Sequence, residues 1–185
     1  MASKQKNYLA AAYNDDHNNR KYIFDLRAEY RFLDVRLSRM ANERNRSLVM
    51  SFSPNTPRYF VGYPEKFREL VFALVENLII NENVKIITVK IDSKPLTIHQ
   101  RHQLRITTVA MGHDSLRQQA ALLERPTSRP QVRPYLRQQH TMFRINRLLR
   151  IMDGSLQMTK VNKGIQYVAQ LSLTRSNSDK VFLWC

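Results

Sequence analysis

PEKFRELVFALVENLIIN, residues Pro64 to Asn81, sets Phe67, Leu70, Val71, Leu74, Val75, Leu78 and Ile79 at steps of three and four. Such steps return to one side of a 3.6-residue turn, so the stretch reads as a helix with a broad apolar stripe. Pro64 suits the first turn, where a missing N–H removes no bond. Glu65 and Glu69 lie toward the positive end of the helix dipole. Asn77 falls in the last turn of an otherwise apolar helix, and taken alone it reads as a surface amide.

Downstream, VKIITVKID (Val84 to Asp92) is β-branched and alternating, which predicts a strand. QLRITTV (Gln103 to Val109) predicts its antiparallel neighbour across a loop near Pro95. Regular patterning then fails from Met111 to Gln139, a region rich in Arg, Gln and Pro. It returns as an amphipathic helix from Thr141 to Met152, closing at Asp153-Gly154. Ser155 to Lys160, a turn at Asn162-Lys163-Gly164 and an alternating Ile165 to Leu173 predict two more strands, and Val181 to Trp184 a short edge strand.

Upstream, residues 1–18 read as a flexible leader. Ile23, Leu26, Tyr30, Leu33, Leu37 and Met40 predict a helix over Asn19 to Arg44. Ser47 to Ser53 predicts a strand, broken by Pro54 and Pro57, with Arg58 to Gly62 leading into the central helix. This order predicts one α+β domain over residues 19–185: a two-layer α/β sandwich, its mixed, mostly antiparallel sheet covered by helices on one face.

The chain has 185 residues, 43% of them hydrophobic, enough for a proper core. No apolar run approaches the ~20 residues that span a bilayer. The polar N-terminus lacks the apolar stretch of a secretory signal, which points to the cytoplasm. The single cysteine, Cys185, excludes an internal disulfide and a cysteine-based zinc cluster. Net charge is +15, from 30 basic and 15 acidic residues spread along the chain, and such a field draws acidic partners.

The same order resembles the ATP-binding domain of sensor histidine kinases, in the GHKL ATPase superfamily, over roughly Arg20 to Leu173. Thr56-Pro57-Arg58, Gly62-Tyr63-Pro64 and LVFALVENLI follow the family's succession ahead of the nucleotide. The resemblance puts Asn77 on the family's magnesium-binding asparagine. RLLRIMDGSLQMTKVNKGIQYVAQLSL looks like its closing signature, with Gly154 and Gly164 on family glycines. The family's D-x-G-x-G box should follow the strand ending near Val109, where Ala110-Met111-Gly112-His113-Asp114 stands. Ala110 replaces the adenine-binding aspartate, and Asp114 puts a carboxylate on the second glycine. The glycine-rich lid motif has no counterpart in Arg137-Gln138-Gln139-His140-Thr141.

A lost charge-assisted hydrogen bond costs about 1.5–3 kcal/mol. A carboxylate roughly 5 Å from a phosphate costs about 3 kcal/mol at an effective dielectric near 20. Together, ~5 kcal/mol weakens binding by three to four decades. The resemblance, with these departures, therefore implies a degenerate domain. Asn77, Ala110, Gly112, Asp114 and Gly154 would be vestigial pocket positions, with no catalytic residue, cofactor or metal, and the chain would not be an enzyme.

Outside the resemblance, chemistry is sparse. His17 lies in the leader and reads as a solvated histidine. His99 and His102 have no cysteine or carboxylate close enough in sequence for a metal site. In RPTSRPQVRPYLR, Arg125, Arg129, Arg133 and Arg137 recur every four residues, the first three each before a proline. Residues before proline avoid the α region, which predicts an extended basic arm presenting forked Arg contacts. The arm stands where the family has its ATP lid, in an irregular loop over 112–140.

The reading that follows is a catalytically inactive histidine-kinase-like domain, acting as a cytoplasmic signalling adaptor or regulator in a two-component phosphorelay. Its partner is an acidic protein met by the arginine arm, and the resemblance implies one of the two-component type. The alternative is a basic regulatory protein that binds nucleic acid.

Overall fold

The computed structural model describes residues 20–80, 84–97, 100–112, 132–161 and 164–176, with the side chains of 132–137 left aside. The expected leader and the Val181–Trp184 strand lie outside these residues. In chain order the elements are β1 (Tyr22–Asp25), α1 (Leu26–Asn42), β2 (Ser47–Phe52), β3 (Tyr59–Gly62), α2 (Pro64–Ile79), β4 (Ile86–Pro95), β5 (Arg101–Met111), α3 (Val132–Ile151), β6 (Gly154–Val161) and β7 (Gly164–Arg175).

The strands form one sheet in the order β1-β3-β7-β5-β4-β2, with β6 also pairing β7. Among the described residues only the β2–β4 pair is parallel; the other pairs are antiparallel. The expected mixed, mostly antiparallel sheet is therefore present. Leu104, Ile106, Thr108 and Ala110 of β5 are buried, while the residues between them are partly exposed. That alternation puts one face of the strand on the core. α2 packs between α1 and α3 over that face, and nine of its residues are buried, Phe67, Leu70, Leu74 and Asn77 among them.

Three expectations change. The helix expected from Asn19 starts only at Leu26, because Tyr22 to Asp25 pairs as β1 with Tyr59 to Gly62. The latter segment is thus strand β3, where the sequence predicts a plain lead-in. Asp25 ends the strand and caps the helix, its Oδ1 accepting from the N–H groups of Arg27 and Ala28 at 2.9 and 3.2 Å. The third change concerns α3, which begins at Val132, nine residues before Thr141. Arg133 and Arg137 therefore stand on a helix rather than in an extended arm. Pro134 falls in its first turn, where no intrahelical N–H is required.

Helix ends follow local chemistry. Asn45 takes a left-handed φ of 55° after α1, and Asp153 a φ of 50° after α3, a conformation that Asn and Asp tolerate. Gly154, expected as the cap, is instead required for space: a Cβ there would lie 2.6 Å from Leu171 Cδ2 and 2.8 Å from the Gln170 carbonyl oxygen.

Asp25 also joins α1 to β3. Arg58 Nε donates to its Oδ2 at 2.9 Å. Burial pushes the Asp25 pKa up, but hydrogen bonds from Arg58, Ala28 and Arg27 outweigh it, and the net shift is below the ordinary 3.8. A depressed folded pKa gives stability that is present above the unfolded value and lost as pH falls through the folded one. Asp25→Ala is expected to lower stability by about 1 kcal/mol at neutral pH. It should also flatten the acid side of the stability curve below pH 3.8, as measured by urea unfolding across pH.

Candidate functional site

Register between β5 and β7 sets Thr108 opposite Tyr167 and Ala110 opposite Ile165, all on the helix-covered face. From the last turns of α2, Asn77 reaches this patch. It is 4% exposed, and its Nδ2 donates to the Tyr167 hydroxyl oxygen at 3.1 Å. The residues are ninety positions apart in sequence. Burial pushes the Tyr167 pKa up, opposed by the Asn77 hydrogen bond. The phenol thus stays neutral at physiological pH and can accept that bond.

Among the described residues, Asn77 Oδ1 and Thr108 Oγ1 are buried without a hydrogen-bond partner. A buried polar atom left unpaired costs roughly 1–3 kcal/mol. The end of α2 thus holds a carboxamide with its nitrogen committed and its oxygen unspent.

Of the sequence-predicted positions, Asn77 and Ala110 come to this patch, and Gly112 follows directly after β5, half-buried. Asp114 lies outside the described residues. Gly154 begins β6, opposite Leu171 of β7, and its role is packing. Arg125 and Arg129 also lie outside them, and Arg133 and Arg137 stand four apart on α3. His102 packs edge-on against Phe60 with ring centroids 5.8 Å apart. No group of three His, Cys, Asp or Glu that could hold a metal ion occurs among the described residues. Tyr167 and Thr108 escape sequence reasoning because each occupies an ordinary inward position of an alternating strand.

The Asn77–Tyr167 bond can be tested by a double-mutant cycle. Tyr167→Phe leaves the whole Asn77 carboxamide unpaired and should cost about 1–2 kcal/mol in chemical denaturation. Adding Asn77→Leu removes the orphaned amide and should recover most of that loss. Losses that simply add would show that the two side chains do not interact.

No family model matches the sequence, and no curated protein matches it. Solved structures do match in shape. Full-length ShkA, in complex with AMPPNP, superposes with a TM-score of 0.61 at 12% identity, over 85% of this chain and 32% of its own. The catalytic domain of histidine kinase ThkA gives 0.52 at 11% identity, over 84% of this chain and 99% of its own. Histidine kinase AdeS of Acinetobacter baumannii gives 0.54 at 12% identity, over 94% and 77%. The fold is that of a histidine-kinase catalytic domain. At these identities the likeness is one of fold, and the chain spans about a third of full-length ShkA.

This histidine-kinase-like fold corrects one expectation. The sequence reading gave no enzyme, yet the domain that ThkA contributes to the match is a kinase catalytic domain. The departures at Ala110 and Asp114 do not place the chain outside enzymes.

The residues of this histidine-kinase-like domain fit a metal–nucleotide at one end only. The buried, unpartnered Oδ1 of Asn77 is a hard oxygen of the kind a divalent cation accepts. Asn77 alone could not hold that cation but would lend it one oxygen beside the nucleotide phosphates, whose charge the cation would neutralise when bound. Ala110, where the resemblance puts the adenine contact, carries a methyl group with no acceptor and is fully buried.

Proposed function

We propose that this histidine-kinase-like domain works in a two-component phosphorelay, in the cytoplasm, through protein contacts, meeting an acidic signalling protein with its basic surface. What carries the reading is the fold shared with histidine-kinase domains over most of the chain. The net charge of +15 supports an acidic partner. No helix of the described residues is long and apolar enough to cross a membrane. The arginines at 125, 129, 133 and 137 are proposed as part of that basic surface. The end of α2 is proposed to keep one cation ligand at Asn77 without selecting adenine.

Capture from the native cell at moderate salt, with and without nuclease, tests the reading. A two-component protein retained after nuclease treatment is the expected result. Capture that nuclease abolishes overturns it in favour of the second reading, a nucleic-acid-binding regulator, which the same charge favours. Binding of that kind would weaken linearly in log affinity against log salt.

A further inference from the structure

Phe32 and Val35 on the outer side of α1 are 38% and 73% exposed. The Arg36 guanidinium lies over the Phe32 ring at 5.3 Å and the Phe72 ring of α2 at 5.9 Å. On Phe32, the Arg68 guanidinium lies at 5.2 Å. Arg68 is neutralised by Glu29 at 2.8 Å. Arg36 and Arg31 have no carboxylate partner among the described residues.

Residues three and four apart share a helix face, so Arg31, Phe32, Val35 and Arg36 form one surface. At its centre is the Phe32 ring, with the guanidiniums of Arg36 and Arg68 held over it by cation–π attraction. A guanidinium fixed in this way keeps its N–H edge for a planar, forked anion.

We propose that this α1–α2 face docks an acidic amphipathic helix of a protein partner, an aliphatic side chain resting on Phe32 and Val35 while flanking carboxylates take Arg31 and Arg36. The proposal takes from the phosphorelay reading that the partner is a protein, and adds the surface and the chemistry that meets it. Charge complementarity selects the occupant. A second copy would bring guanidinium onto guanidinium between chains of net charge +15 each. Nucleic acid would meet an apolar centre where it needs a row of cations. A helix with leucines on one stripe and glutamates beside it satisfies both parts of the face.

The probe is a fluorescein-labelled designed helix of that pattern, followed by anisotropy against the full chain and by amide shift mapping. Three competitors accompany it: the same helix with lysine for glutamate, the same with serine for leucine, and mixed-sequence duplex DNA. Binding is expected with shifts at Phe32, Val35, Arg36 and Phe72. About tenfold weaker binding is expected for both altered helices, and for Val35→Glu and Arg36→Glu, whose melting temperatures should match the parent. Wild-type affinity in both variants, shifts confined to other elements, or displacement by DNA as effective as by unlabelled helix would overturn the proposal. A two-component protein captured on another face would leave the phosphorelay reading standing and overturn this surface. Probe binding here, with no such protein captured, would support the surface and count against that reading.

Discussion

Replacing Leu74 by alanine is expected to lower the unfolding free energy by about 2–5 kcal/mol, the range for an aliphatic side chain truncated in a close-packed core. Leu74 has no exposed surface and lies midway along α2. That helix contacts both neighbouring helices and strands β4 and β5, so no single neighbour can move in to fill the space. In a chain of this size each kcal/mol moves the melting temperature by roughly 2–4 °C, so a fall of roughly 10 °C should appear in a calorimetric scan. Leu74→Met keeps the volume and should cost under about 1.5 kcal/mol. A loss below about 1 kcal/mol for alanine would mean that α2 is not the hub of the core.

Gly164→Ala is the second large effect. Gly164 sits in β7 between Met111 of β5 and Val161 of β6. A Cβ there would meet the Ala110 carbonyl oxygen at 2.1 Å, a backbone atom that cannot swing aside. Relief requires β5 and β7 to part beside the buried Ala110 and Thr108. A cost of about 3 kcal/mol is expected, at the upper end for an added methyl group in a packed site. Equal denaturation midpoints for Gly164→Ala and the parent protein would show that the β5–β7 approach is looser than the register implies.

Much of this fold was legible in the sequence because α2, β4, β5 and β7 each repeat their pattern long enough to read. The strands β1 and β3 were not. Each has four residues, and Ile23 also fits the helical spacing that runs on through Leu26 and Tyr30. What separates the two readings is the pairing of β1 with β3, a contact between segments more than thirty positions apart. The start of α3 was hidden by Pro134, which reads as a helix breaker until its first-turn position is known. At the candidate site, Asn77 could be singled out by its resemblance to a family pattern. Tyr167 could not, since the strand IQYVAQLSL gives a buried tyrosine no special mark. Only the strand order brings its hydroxyl to the end of α2.

A site with a cation end and no adenine end should bind nucleotides weakly and without regard to the base. Competition between ATP and GTP for the full chain, with Mg²⁺ present, reads this out. With a methyl group at Ala110 in place of an acceptor for the adenine amine, ATP is predicted to bind no more tightly than GTP, within about threefold. A preference for ATP of about tenfold or more, equivalent to roughly 1.4 kcal/mol, would contradict it.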